Sequence, residues 1–374
     1  MRLHEVTALL DSWYDPAWAD SWDAVGLVAG DPDAEVRRVL LAVDPAPAVV
    51  DEALEWGADL VVVHHPLFLR GVSSVAATTP KGRTLHRLLT GGTALFTAHT
   101  NADAPAYGVN EALAHAVGLV DVAVIDPDGR PALDKLVVFA PRDAAEAVRG
   151  ALAEAGAGAL GDYEACSWSA EGRGRFRPQA GADPAIGSIG ELEVVEEERI
   201  EVVLERELRR DVLAAMHAAH PYEEVAFDLI ELANPGTRRP TRGTGRIGDL
   251  ATPVRLEELA RQVAAALPAC AHGVRVGGDP DRLVRRVAVT SGAGDFLLER
   301  VLETDADVYL TSDLRHHRAA EFLEHGGPAL IDVAHWAAEW TWLPVLEQRL
   351  TATVGDALEI RVSTTPTDPW TFRA

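Results

Sequence analysis

Cysteine is scarce: the chain of 374 residues has two, Cys166 and Cys270. Two cannot build a disulfide framework and no CxxC pair occurs, so a reducing interior suits the chain. Positive charge is also short. Lys and Arg number 34 against 58 acidic residues, a net charge of −24, whereas affinity that rests on phosphate neutralisation needs a basic surface. Nucleic acid is therefore not an expected partner. An anionic small substrate stays open, because bound cations dominate the local potential of a cleft whatever the surface carries. Apolar runs never approach the ~20 residues that span a bilayer, which argues against a membrane partner. The opening stretch MRLHEVTALLDSWYD spreads its charges and spaces Leu3, Val6, Leu9, Leu10 and Trp13 at helical intervals. That describes an amphipathic helix and not a signal peptide, and places the protein in the cytoplasm.

What is present is enough apolar material for sizeable cores: 48% of residues are hydrophobic, and the length predicts roughly two to three domains. Residues 1–130 alternate strand and helix. A strand over 39–43 precedes the helix PAVVDEALEWG, the strand 60–63, the helix GRTLHRLLTGG, and a strand TALFT running into the polar loop AHTNAD. Residues 236–374 repeat the grammar: VRRVAVTSGAG enters a glycine turn, DFLLERVLETD is a helix, VYLTSD a strand, LRHHRAAEFLEHGG a helix, and ALIDVAHWAAEWTWLPVLEQRL a strand feeding a helix. Both patterns predict α/β lobes with mainly parallel sheets. Residues 131–235 differ. They read β, α, a hairpin with a glycine and arginine tip at GRGRFRP, then β, α, β, a ferredoxin-like α+β insertion. Its exit ANPGTRRPTRGTG reads as a linker, and VGGDP at 276–280 as a turn.

The chemistry gathers at strand ends. In VVVHHPLFLRG three β-branched residues lead into His64 and His65, and ligands of parallel sheets collect at the carboxyl ends of strands. TAHTNAD puts His99 and Asp103 past another strand, and DVAHWAAEW puts His335 and Glu339 past a third. The last pair, four apart on the opening turns of a helix, shares one face at about 5–6 Å between Cβ atoms. Each motif alone has a plain alternative, a histidine satisfied by loop carbonyls or an i, i+4 pair on a solvated face. Together they offer imidazole and carboxylate donors suited to zinc, iron or manganese.

At these residues the sequence resembles the GTP cyclohydrolase 1 type 2 homolog family, also called the NIF-three-like proteins, over nearly the whole chain. The resemblance lies in WDAVGLVAGDP, HHPLFLRG, AHTNADAPAYGVN, VAVTSGAG, YLTSDLRHH and DVAHWAAEW. GRGRFRP and HPYEEVAFDLIEL are similar to the PII-like insert of its longer members. What the resemblance implies is one core built by the two lobes, two divalent ions per chain, and assembly as a homo-hexamer. It also implies the ligands: His65, Asp103 and Glu339 for one ion, His64, His335 and Glu339 for the other, with Glu339 bridging. Ala24 departs from the family's asparagine, and Thr290 and Ser291 from its glycine pair, at positions away from the ligands.

His99, Asp313 and His317 are further candidates for the same cleft, as proton shuttle or orienting groups; packing, a helix cap and exposed imidazoles are the alternatives. Ser291 to Gly294 could cradle an anion. Trp336, Trp340 and Trp342 read as core or interface residues. Two divalent ions ~3.5–4 Å apart lower the pKa of a bridging water and supply hydroxide to carbon or phosphorus. The expected function is a dinuclear-metal hydrolase acting on a small, nucleotide-like molecule at a ring C–N bond or a phosphoester. A metal-loaded regulatory protein that senses a ligand through the insert is the alternative.

Overall fold

Every residue from Val39 to Ala42 and from Leu60 to Val63 is buried, because helices cover both faces of the sheet these strands occupy. In the computed structural model, which describes residues 1–127, 133–160, 163–232 and 241–374, this first sheet has five strands. Gly26–Ala29, Ala94–Thr97, Leu60–Val63, Arg38–Ala42 and Glu359–Val362 lie side by side in that order, all parallel except the first. Alternation divides the side chains between two layers. Val39, Leu41, Leu60 and Val62 join Leu3, Val6 and Leu10 of the predicted amino-terminal helix, Leu3–Trp13. Leu40, Ala42, Val61 and Val63 join Val49, Val50, Leu85 and Leu88 of the helices Pro47–Trp56 and Pro80–Thr90. Each such fully buried Val or Leu side chain contributes about 1.5–3 kcal/mol.

The second sheet runs Arg275–Gly277, Ala329–Val333, Val308–Ser312, Leu283–Ala293, Gly243–Arg255 and Leu119–Pro127, its middle three strands parallel. Val287, Val289, Val308, Leu310, Ile331 and Val333 enter the same core as Leu3 and Val39. The two flanking segments do not form separate lobes. Leu119–Pro127 completes the second sheet and Glu359–Val362 the first, so each segment lends an edge strand to the other. One compact unit, Met1–Asp128 with Arg239–Ala374, results; Gly129–Arg238 is a second. Among the described residues no helix is long and apolar enough to cross a membrane.

The second unit is an antiparallel sheet in the order Ser167–Phe176, Glu193–Glu205, Leu133–Pro141, Phe227–Glu231, with the helices Ala145–Glu154 and Arg209–Ala219. That is the βαββαβ order of a ferredoxin-like fold. Leu136, Val138, Ile200 and Val202 pack against Val148, Leu152, Val212 and Met216.

Several expectations of local structure are corrected. Gly172 to Arg175 lie within the strand Ser167–Phe176, not at a hairpin tip: Gly172 pairs with Glu197 and Gly174 with Val195, and Arg173 makes an ion pair with Glu196 across the ladder. Thr100–Asp103 is a one-turn helix, and Leu298–Leu302 is a short helix after a 3-10 turn at Asp295–Leu297. Val276 and Gly277, read as part of a turn, belong to the edge strand Arg275–Gly277. Of the linker ANPGTRRPTRGTG, residues 233–240 lie outside the described residues, and Gly243 to Gly245 already open a strand.

Pro127 pairs with Gly243 across the second sheet, so the chain leaves and rejoins the first unit at neighbouring positions. Replacing residues 129–238 by a short Gly/Ser linker therefore turns the insertion into a hairpin connection. The shortened protein is expected to keep its metal uptake, with a thermal midpoint within about 4 °C of the full chain, the shift of roughly 1 kcal/mol. A folded product that binds no metal would refute the independence of the insert.

Candidate metal centre

The backbone carries both histidines past the end of their strand in register. His64 N donates to Val43 O at 3.1 Å and His65 N to the same carbonyl at 2.9 Å. The side chains then diverge towards different acceptors. His64 Nδ1–H donates to Ala98 O at 2.9 Å and His65 Nδ1–H to Asp44 Oδ1 at 2.7 Å. Two more histidines follow the same rule: His99 Nδ1–H donates to Asp23 Oδ1 at 2.8 Å, and His335 Nδ1–H to Asp313 Oδ2 at 2.7 Å. An acceptor at Nδ1 fixes the proton there and leaves the Nε2 lone pair for a metal.

The Nε2 atoms meet around one carboxylate. Glu339, on the helix His335–Trp340, is buried; its Oε1 lies 2.8 Å from His335 Nε2 and 3.5 Å from His64 Nε2, and its Oε2 3.1 Å from His65 Nε2. His65 Nε2 and His335 Nε2 are 3.3 Å apart. Donor atoms of His65, His335 and Glu339 all fall within 4.8 Å of one another, as do those of His64, His65 and His99. Asp103 Oδ1, from the turn Thr100–Asp103, is 3.8 Å from His64 Nε2.

Charge follows from this crowding. Burial alone would raise Glu339, but His65, His335 and His64 around it hold its carboxyl well below the usual range. For His335 burial opposes protonation, yet Glu339 and Asp313 outweigh it and push the imidazole up to about 10. His65 is likewise raised well above its ordinary value by Glu339 and Asp44 against the cost of burial. Burial, with Glu339 adding, lifts Asp103 to about 7. Protons thus hold together a cluster that cations would otherwise neutralise. The fit to a cation has its own mark: apart from the contact of His65 Nε2 at 3.1 Å, the buried Glu339 Oε2 forms no hydrogen bond of good geometry among the described residues, which in a native site points to an unseen ligand. Imidazole nitrogen with carboxylate oxygen is the donor set of zinc, iron or manganese.

His64, His65, Asp103, His335 and Glu339 are therefore brought together, with His99 beside them, its ring centroid 5.1 Å from that of His64. His65 Nε2 stands 3.3 Å from His335 Nε2 and His64 Nε2 3.8 Å from Asp103 Oδ1, whereas Glu339 Oε1 faces both His335 and His64, the two that the resemblance assigns to one ion. Asp313 orients His335 from a left-handed backbone conformation, φ 56°. His317 is exposed and stacked edge-on against His316, and it has no contact with the cluster among the described residues. Ser291 N donates to Asn110 Oδ1, so that amide is already committed within the fold. Gly292 instead gives space: with φ at 67°, a Cβ there would lie 2.7 Å from Glu339 Oε1.

Sequence reasoning missed Asp44, Asp23 and Gly292. The available signal for Asp44 was its position just after the strand Arg38–Ala42, where polar residues of this fold collect. Trp342 is a core residue as expected, its Nε1–H donating to Tyr14 Oη at 3.0 Å and its ring edge-on to His64.

The chain is similar to known proteins over nearly its whole length. The model of the family described as Duf34/NIF3 (NGG1p interacting factor 3) matches residues 1–369. The GTP cyclohydrolase 1 type 2 homolog of Mycobacterium tuberculosis is 53% identical over 371 residues, 99% of this chain and 97% of that protein. The crystal structure of a Bacillus cereus protein related to NIF3 is similar over 100% of this chain and 99% of its own, with 36% identity and a TM-score of 0.67. That of Staphylococcus aureus protein SA1388 is similar over the same shares, with 28% identity and a TM-score of 0.73.

Proposed function

The chain belongs to the Duf34/NIF3 family, and on that premise we propose that it is a dinuclear metal-dependent hydrolase, opening a ring C–N bond or cleaving a phosphoester of a small, nucleotide-like molecule. The observation that carries this reading is the set of four imidazoles, each tied through Nδ1 to an acceptor, three of them gathered about the buried carboxylate of Glu339. His65 and His335 would hold one ion, His64 and Asp103 the other, and Glu339 would bridge them. Such ions, zinc or iron before manganese, supply Lewis acidity towards a water and a substrate oxygen. Five protein ligands for two ions leave positions open, as catalytic sites do.

The remaining side chains have separate work. Asp44 and Asp313 hold the rings of His65 and His335. His99 is left over once the five ligands are committed, and with Asp23 holding Nδ1 it can give or take a proton at Nε2. Gly292 keeps the approach to Glu339 free of a side chain. The same reading has the protein act in the cytoplasm as a homo-hexamer, which mass measurement in solution tests.

The test is metal content followed by turnover. Protein purified without chelator or affinity resin is expected to hold close to two ions per chain and to hydrolyse at least one member of a panel of nucleotides and phosphoesters. Glu339→Gln should lower that rate at least about 100-fold, since it removes a charge from both ions. Turnover unaffected by Glu339→Gln would overturn the hydrolase reading.

One observation favours a second reading, a metal-loaded sensor. The inserted unit contains its own cavity of about 720 Å³, lined among others by Gly172, Gly174, Phe176, Glu197 and Tyr222. Those residues come from GRGRFRP, HPYEEVAFDLIEL and the strand between them, and none belongs to the metal cluster. Tight binding of a small molecule without turnover would support this reading over the first.

A further inference from the structure

Asp44 is held at both oxygens. Oδ1 accepts from His65 Nδ1–H at 2.7 Å, and Oδ2 accepts from the hydroxyl of Thr367. A carboxylate bonded at one oxygen can swing about its Cβ–Cγ bond; bonded at both, it presents a fixed lone pair to the imidazole. Thr367 is itself on an anchored segment. Ser363 N donates to Leu41 O at 2.8 Å, prolonging the ladder of the strand Glu359–Val362. The hydroxyls of Ser363 and Thr365 both donate to Glu52 Oε2, at 2.6 and 2.9 Å. Trp340, on the helix of His335 and Glu339, donates Nε1–H to Ser363 O at 2.9 Å.

We propose that Thr367 is a positioning residue of the metal centre, setting the plane of the Asp44 carboxylate and through it the orientation of His65. The inference rests on the metal-site reading above and extends it to a residue 323 positions from Asp44 in the chain. Thr367 touches no ligand atom. Its effect falls on one ion, the one held by His65 with His335 and Glu339, while the ion at His64 and Asp103 has no link to it.

Zinc titration of the full chain against a competing chelator reads this directly, with stepwise affinities for the two ions. In Thr367→Val, which keeps the shape and removes the hydroxyl, one ion should weaken by about 10- to 100-fold, the usual cost of losing an outer partner of a ligand. The other should hold within about threefold, and Thr367→Ser should restore the first. Ser363→Ala loosens the same segment without touching Asp44, and it should leave both affinities within about threefold of the parent. If Ser363→Ala weakens zinc as much as Thr367→Val does, or if Thr367→Val leaves both ions unchanged, the inference is overturned. Should valine prevent folding, Thr367→Ala compared with Thr367→Ser asks the same question. The failure of the underlying reading looks different: the parent itself would take up no zinc, and this inference would fall with it. If the parent binds two ions and Asp44→Ala weakens one while Thr367→Val weakens none, only the role of Thr367 is lost.

Discussion

Glu339→Ala is expected to empty both metal positions together. The carboxylate touches three imidazoles, Oε1 those of His335 and His64 and Oε2 that of His65, so on the proposed reading its removal takes a ligand from both ions. It also removes the negative charge that screens two double positive charges from each other. Asp103 makes its close contact with His64, at 3.8 Å from Nε2, and Asp103→Ala should weaken one ion first. His335→Ala should do the same to the other. Stepwise zinc titration should then show Glu339→Ala weakest for both ions, by at least about 100-fold, beyond the usual cost of an outer-shell change. The helix His335–Trp340 should survive, because alanine is the best helix former and Glu339 sits within it. Circular dichroism provides that control. One ion retained by Glu339→Ala at near parental affinity would mean that the carboxylate does not bridge.

The parts of this molecule that could be read beforehand are those governed by local pattern. Leu60–Val63 is four apolar residues followed by the two histidines and then at once by Pro66, and a run buried on both faces needs no alternation to be recognised. The helix with His335 and Glu339 announces itself by spacing. The edge strands Gly26–Ala29, Leu119–Pro127 and Glu359–Val362 did not, because each is only partly buried and carries exposed residues; their pairing is decided by partners far away in the chain. The same distance hid the residues that orient the ligands. Asp44 is 21 positions from His65, Asp23 is 76 from His99, and Thr367 is 323 from Asp44. Its place just after a strand is the one local mark of Asp44, and nothing local distinguishes Asp23 or Thr367 from the many others. The division of His64 from His65 was equally out of reach, since it depends on which ring the helix of Glu339 approaches in space.

Without metal, the protein should be most stable in mildly acidic solution and lose stability as the pH rises from about 6.5, the ordinary histidine value, towards 10. His335 is raised to about 10 and His65 well above its ordinary value. A base whose pKa is raised by folding contributes stability that is complete below the unfolded value and is lost as the pH climbs through the folded one. Asp103 acts in the same direction at lower pH. Its carboxyl is raised from 3.8 to about 7, so ionising it in the fold becomes a cost as the pH passes from 3.8 to about 7. Glu339 works oppositely. Its carboxyl is depressed well below 4.5, so its contribution is present above 4.5 and is lost on acidification through the depressed folded value. The window of greatest stability therefore lies between the acid limit set by Glu339 and the loss of the histidine protons. Above about 6.5 the slope is at most about 1.4 kcal/mol per pH unit for each extra proton that the fold retains. Metal reverses the trend: cations replace these protons, so zinc binding should release protons and strengthen as the pH rises. Thermal melts at pH 6, 7.5 and 9 should show the metal-free midpoint falling while the gap to the zinc-loaded protein widens. His335→Ala should flatten the metal-free curve. A metal-free midpoint that stays level or rises across that range would show that the histidines do not hold their protons on Glu339, and the cluster would lose its claim to be a cation site kept in order by protons.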